Sequence, residues 1–175
     1  KYTKRPIHIY ELGPSRGAIV PEKFLGDYQG FLHSDGYSAY SKLEGITSVA
    51  CLAHIRRYFY DARPQSYSED SLAHKAVLMC NELFKIDKNF SELSIEDRYD
   101  LRRSRLKPKL DAFFNWCESL VVASQSKLGR AVAYAIKQKE RMMNILHDGR
   151  LVLSNNLAER GIKSLVIGRK NWMFS

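Results

Sequence analysis

Apolar side chains recur every three or four residues through one long stretch of the chain, from about Asp70 to Asp148. This spacing places them on one face of a helix, so we predict consecutive amphipathic helices here. Ser94 and Asp97 form a capping-box pattern at one helix start, and Pro108 begins a new helical pattern. The predicted apolar faces are Leu72, Ala76, Met79, Leu83 and Ile86; Leu110, Phe113, Phe114, Cys117, Leu120 and Val121; and Leu128, Val132, Ala135, Met142 and Leu146.

The segments on either side of this helical block carry a different pattern. Alternating or β-branched apolar residues predict short strands at 6–12, immediately before Asp35, and at 46–53. A helix is predicted at 54–62, and a last helix begins near Asn156. The sequence therefore places strands before the block and a single helix after it.

From this order we predict an α/β fold that is mostly helical overall. Residues 1–66 and 149–175 would form one α/β core, and residues 67–148 would form an all-helical insertion domain. The insertion would lie between Asp35, which a strand carries, and Glu159, which a helix carries. With 175 residues, of which 45% are hydrophobic, the chain can bury such a core.

The charge balance favours an anionic partner. The chain has 28 Lys and Arg against 19 Asp and Glu, a formal net charge of +9, which is typical of nucleic-acid-binding proteins but not specific to them. Its 3 widely spaced cysteines suggest neither a disulfide framework nor a zinc knuckle, so we expect a reducing cytoplasm. No apolar stretch approaches the roughly 20 residues that cross a bilayer, so no membrane partner is expected.

Asp35 ends a predicted strand and is followed by Gly36, which allows a sharp turn. Such strand ends are where α/β proteins often expose functional side chains. The same Asp-Gly pair is common in ordinary turns, so a purely structural role is an open alternative.

Glu159 is the single carboxylate in the otherwise basic stretch 154–172. With Asn156 as the N-cap it would occupy the third helical position and could complete a capping box. It could also pair with Lys163 one turn later. Both structural roles are alternatives to a function.

Two acids that are remote in sequence but adjacent in space suit Mg²⁺ or Mn²⁺. Such ions take a few carboxylate oxygens and keep their other positions for water or phosphate oxygens. Two ions about 3.5–4 Å apart can activate the attacking oxygen of a phosphodiester reaction and stabilise the leaving oxygen. The functional hypothesis, beside the structural alternatives, makes Asp35 and Glu159 metal ligands and catalytic residues.

Basic and amide side chains near these acids are candidates for contacts with DNA. They are His54, Arg56, Arg57, Asn155, Asn156, Arg160, Lys163, Arg169 and Lys170. A second basic cluster is a further candidate phosphate-contacting surface, although such runs are often merely solvated. It comprises Arg98, Arg102, Arg103, Arg105, Lys107 and Lys109.

Three motifs in this order resemble the catalytic region of bacterial transposases of the insertion sequence 66 (IS66) family. They are FLHSDGYSAY at 31–40, CLAHIRRYFYDA at 51–62 and LSNNLAERGIKSLVIGRKNWMF at 153–174. The third motif is the most diagnostic. Leu52 and Ser154 stand where relatives often have Trp and Asp, and neither position carries a predicted metal ligand.

The resemblance implies an RNase H-like fold with a DDE triad of two aspartates and one glutamate. Asp35 resembles the second aspartate and Glu159 the glutamate, and the helical block resembles an insertion between them. The first aspartate would lie on an earlier strand, upstream of residue 6. The resemblance therefore implies an incomplete core, which we expect to be unable to cut DNA alone.

The implied function is metal-dependent DNA strand cleavage and strand transfer at transposon ends. It implies DNA as the partner, a homo-oligomeric active complex, and a bacterial cytoplasmic location at the nucleoid. One alternative is a non-catalytic DNA-binding or assembly module whose acids only cap turns and helices. Another is a nuclease or resolvase of the same fold, which would cut without strand transfer.

Overall fold

The structure, a computed structural model, describes residues 7, 9, 17–36, 40, 43–64, 66, 70–162 and 167. Within these residues the fold is mostly helical, as predicted. Of the predicted strand at 6–12, only Ile7 and Ile9 are among the described residues, and neither is in a strand. Residues 156–162 are helical. The preceding elements are α1 (Ile19–Leu25), β1 (Gly30–Ser34), β2 (Ile46–Ala50), α2 (Leu52–Asp61), α3 (Leu72–Lys88), α4 (Ile95–Leu101), a π-helical turn (Arg102–Leu106), α5 (Lys107–Ser119), α6 (Lys127–Met143) and a 3-10 turn (Asn144–His147).

The two strands form a parallel pair in which Gly30 faces Ile46 and Ser34 faces Ala50. Parallel strands end at the same edge of a sheet. Asp35 follows β1 directly, and α2 begins two residues after β2. The sheet therefore places Asp35 and the start of α2 at one edge, which we call the carboxyl edge.

Helix α2 packs against α3 and α6 of the helical block, and α6 in turn packs against β2. Its side chains Leu52, Ile55 and Phe59 are fully buried in one hydrophobic cluster with residues of α3, α5 and α6. The Phe59 ring meets the Phe113 ring edge to face, with centroids 6.1 Å apart. This cluster joins the two regions that the sequence analysis assigns to separate domains, and that division stays a prediction.

The predicted helix faces agree with burial on α5 and α6, but on α3 Leu72 is exposed and Met79 and Ile86 are only partly buried. On α5, Leu110, Phe113, Phe114 and Cys117 are buried, but Val121 is fully exposed because the helix ends at Ser119. The Ser94 hydroxyl accepts a hydrogen bond from the Asp97 amide at 3.0 Å, as the capping-box pattern predicts. No helix in the described part of the chain is both long and apolar enough to cross a membrane.

The helix does not restart at Pro108, because α4 and α5 are joined without a break through the π-helical turn. The Lys107 amide donates to the Arg102 carbonyl, five residues back. Pro108 has no amide hydrogen, so it cannot donate the backbone hydrogen bond that an α-helix would have at this position. The wider π-helical turn directly before it accommodates this residue.

Arg102 is buried, although the sequence analysis places it in a phosphate-contacting cluster. Only 1% of its surface is exposed. Its guanidinium donates to both carboxylate oxygens of Asp87 on α3, at 2.7 and 3.2 Å. A third nitrogen lies 3.4 Å and 3.5 Å from the carbonyl oxygens of Asp148 and Gly149. Arg102 is therefore a structural residue that joins α3 to the returning chain, which is the segment from Asp148 onward that follows the helical block.

Gly149 lets the returning chain pass against the first residue of α4. A Cβ atom at this position would collide with the carbonyl oxygen of Ile95. The Arg102 contact and this close approach together fix where the chain leaves the helical block.

Replacing Arg102 with Met should lower the free energy of unfolding by about 3 kcal/mol, because it leaves the partly buried Asp87 carboxylate without its cation. Lys107→Met is the matched control, since it removes an exposed pair with Asp111 from the same helical run and should cost less than about 0.5 kcal/mol. Urea denaturation of both variants measures the difference. Equal losses would contradict the structural role of Arg102.

Candidate active site

The segment after the helical block docks against the carboxyl edge through its backbone. The Leu52 amide, at the first position of α2, donates to the Leu153 carbonyl at 2.8 Å. The His33 side chain of β1 donates from Nε2 to the Val152 carbonyl at 2.6 Å. Because Leu153 is also buried, this short segment is held on both sides, and the helix that follows begins beside the sheet.

The start of this helix differs from the prediction by one residue. The Asn155 carbonyl accepts from the amides of Ala158 and Glu159, so Asn155 rather than Asn156 occupies the N-cap position. Glu159 then occupies the fourth helical position. A capping box requires the acid at the third position, so this boundary does not favour the capping alternative.

The Glu159 carboxylate instead lies beside His54. Its Oε1 atom is 3.5 Å from Nε2 of His54, which stands in the first turn of α2. The negative charge of Asp35 also acts on His54. Glu159 therefore lies beside His54, and the charge of Asp35 acts on the same imidazole.

The electrostatics of this neighbourhood favour a cationic His54. Its interaction with the Cys51 side chain raises the pKa of His54 most, burial opposes the shift, and the charges of Cys51, Glu159 and Asp35 raise it further. Burial raises the pKa of the Cys51 thiol, but hydrogen bonding with His54, Asn155 and Ser154 outweighs burial and lowers that pKa below its usual value. A positive charge on His54 thus offsets the acids around it.

Asp35 is held in place by α6, a contact that the sequence analysis missed. The Tyr134 hydroxyl donates to the Asp35 carbonyl at 2.8 Å. Gly36 has a φ of +85°, and a Cβ atom there would lie 2.7 Å from Nε2 of Gln138. One signal was available in the sequence: Gln138 is a polar residue within the apolar stripe of α6, three residues after Ala135.

The remaining predicted residues differ in their surroundings. Arg57 is exposed and lies one turn after His54 on the same side of α2. Arg56 is half-buried and donates from Nε to the Asn81 side chain on α3 at 2.7 Å. Asn156 and Arg160 are exposed on the helix that carries Glu159, whereas Lys163, Arg169 and Lys170 lie outside the described residues.

The two acids are donors of the kind that suits a hard divalent cation. Asp35 and Glu159 supply carboxylate oxygens, which Mg²⁺ and Mn²⁺ prefer. Within the described ranges, no cluster of three or more His, Cys, Asp or Glu side chains is placed to hold a metal ion.

The carboxyl edge thus combines the exposed acids Asp35 and Glu159 with the exposed cations Arg57 and Arg160. The chain belongs to the IS66 transposase family: the sequence profile described as "Transposase IS66 family" matches residues 1–175. The RNase H-like core and the roles of Asp35 and Glu159 stay predictions.

Individual relatives support the assignment. The chain is 33% identical to the uncharacterized protein y4hP of Sinorhizobium fredii, over 99% of this chain and 35% of that protein. It is 30% identical to the uncharacterized protein y4qI of the same organism, over 99% of this chain and 34% of that protein. The chain thus spans about a third of the length of these curated relatives. No solved structure matches it.

Gly36→Ala should lower the free energy of unfolding by about 2–3 kcal/mol, because a left-handed backbone is strained with a Cβ atom and the added methyl meets the buried Gln138 amide. Gly26→Ala is the control: its φ is +52°, but nothing lies within 4 Å of the added atom. In guanidinium denaturation, the loss for Gly26→Ala should be about 1 kcal/mol smaller than the loss for Gly36→Ala. A smaller loss for Gly36→Ala would rule out the close contact.

His54 should make stability depend on pH. Its folded pKa is raised above 6.5, so protonated His54 stabilises the fold fully below that pH, and the contribution is lost as pH rises through the folded pKa. Wild type should therefore exceed His54→Gln in stability most at about pH 5.5 and least at about pH 8.5. Urea titrations across this range measure the difference, and a constant or growing advantage would refute the cationic His54.

Proposed function

We propose that this chain is part of the catalytic region of a DDE transposase, which cuts and rejoins DNA at transposon ends by metal-dependent phosphodiester chemistry. One observation supports the proposal above the others. Asp35, at the end of β1, and Glu159, on the helix that follows the helical block, both act electrostatically on His54, although they are remote from each other in sequence. Family membership supports the same class of reaction.

In this mechanism the carboxylates of Asp35 and Glu159 would hold Mg²⁺ or Mn²⁺, together with the third acid that a DDE site requires. The metal, when bound, supplies charge neutralisation to the attacking and leaving oxygens of the phosphodiester. The contribution of the protein is to hold both carboxylates on packed elements. Asp35 is fixed through the sheet and α6, and Glu159 is fixed through the docked segment before its helix.

The cations around the acids have a separate task, which is to bind the DNA backbone. Arg57 and Arg160 are exposed on the two helices that carry His54 and Glu159, so both can reach a phosphate near the acids. His54 can donate a charge-assisted hydrogen bond to a phosphate oxygen when it is protonated. Lys163, Arg169 and Lys170 extend this role along the C-terminal motif.

A second candidate is a non-catalytic DNA-binding or assembly module. The net charge of +9 and the absence of a three-ligand metal cluster among the described residues favour this alternative. Its DNA binding would weaken steeply with salt and would not respond to Mg²⁺. The leading proposal requires a metal-dependent step, so the two candidates differ in one assay.

Glu159→Gln in the intact protein that carries this chain should reduce cleavage of transposon-end DNA by more than about 100-fold, because the amide is a poor metal ligand. DNA binding at fixed salt should stay close to wild type, since no cation is removed. The assay measures cleaved ends and strand-transfer products in Mg²⁺ and in Mn²⁺.

Glu118→Gln is the matched control, because it makes the same chemical change at an exposed pair with Lys139 in the helical block. It should cleave as wild type does. Normal cleavage by Glu159→Gln would remove Glu159 from the mechanism. Salt-sensitive binding with no cleavage by the wild type in either metal would support the binding module, and cleavage without strand transfer would indicate a nuclease.

A further inference from the structure

The helical block reaches the acid-bearing turn at the carboxyl edge through two side chains of α6. Tyr134 donates its hydroxyl hydrogen to the backbone carbonyl of Asp35 at 2.8 Å. Gln138 is only 1% exposed, and its amide lies so close to Gly36 that a Cβ atom there would be 2.7 Å from Nε2. Both contacts act on the backbone that carries the Asp35 carboxylate.

Tyr134 is itself held in one orientation. Its ring stacks on Tyr58 of α2, with centroids 4.1 Å apart and planes 15° from parallel. Tyr58 lies one turn after His54, so the stack links α6 to the helix that carries the imidazole. Burial raises the pKa of Tyr134 to about 12, so its hydroxyl remains protonated near neutral pH and can donate.

The C-terminal end of α6 is also tied to the sheet. Asn144, directly after this helix, donates from its side-chain amide to the Ser48 carbonyl of β2 at 2.8 Å. Helix α6 is therefore fixed to β2, to α2 and to the turn after β1. Rigid support of this kind matters because a metal-binding side chain that is displaced by about 1 Å can lose much of its function.

We propose that Tyr134 is a positioning residue: by holding the Asp35 carbonyl, it makes the helical block set the direction of the Asp35 carboxylate. This proposal rests on the proposed function, in which that carboxylate binds metal. Asp35 lies just beyond the last residue of β1, where the ladder of backbone hydrogen bonds has ended. At this one residue, the hydrogen bond from the Tyr134 hydroxyl holds the backbone in place of the ladder.

The test is Tyr134→Phe in the intact protein, which keeps the ring and its stack on Tyr58 but removes the donor. The Mn²⁺ concentration that gives half-maximal cleavage should rise by about three- to tenfold, the effect of one lost hydrogen bond. Cleavage at saturating Mn²⁺ should change less, because excess metal compensates for a weaker site. Tyr99→Phe on α4 is the matched control and should leave the metal titration unchanged.

Amide hydrogen exchange of residues 34–36 in the same variants gives a readout that is independent of activity. Faster exchange in Tyr134→Phe but not in Tyr99→Phe, together with the shifted metal titration, would support the positioning role. Unchanged exchange and an unchanged titration would overturn it. A lower melting temperature with no shift in the titration would also overturn it, because Tyr134 would then serve stability alone.

The two proposals fail in different ways. If the wild type shows no metal-dependent cleavage, the proposed function fails, and the positioning role fails with it even if residues 34–36 exchange faster in Tyr134→Phe. If wild-type cleavage depends on metal but Tyr134→Phe titrates as wild type does, only the positioning role fails.

Discussion

The path of the chain depends on the contacts that the buried guanidinium of Arg102 makes. A charge with 1% exposure is tolerable only when its donors are used, and Asp87 accepts two of them while the carbonyls of Asp148 and Gly149 lie near a third. The contact ties α3, the π-helical turn and the returning chain together. It thereby determines where the segment that leads to Glu159 leaves the helical block.

The consequence appears at the carboxyl edge, where two ends of the chain meet. Backbone hydrogen bonds at Leu52 and His33 hold the returning segment, and the helix after it points Glu159 at His54. From the other side, α6 reaches the turn that carries Asp35. The helical block is therefore part of the support of the candidate active site.

Sequence patterns predicted the helices because amphipathic periodicity is a local property. The buried faces of α5 and α6 and the Ser94 cap followed from residue spacing. Residue spacing was wrong for Val121, which lies beyond the end of α5. The basic-cluster prediction was wrong for Arg102, which a count of basic residues could not separate from its exposed neighbours. A cap at Asn155 instead of Asn156 was a one-residue error, of the size expected at helix ends.

The sequence by itself determined the mostly helical class, the cationic character and the two acids worth testing, because composition, periodicity and motifs are carried by neighbouring residues. Only the tertiary structure decided that Glu159 meets His54, that Arg56 turns toward Asn81, and that Tyr134 reaches Asp35. These contacts join residues far apart in the chain. Their geometry depends on how whole helices pack on the sheet, and no local pattern specifies that packing.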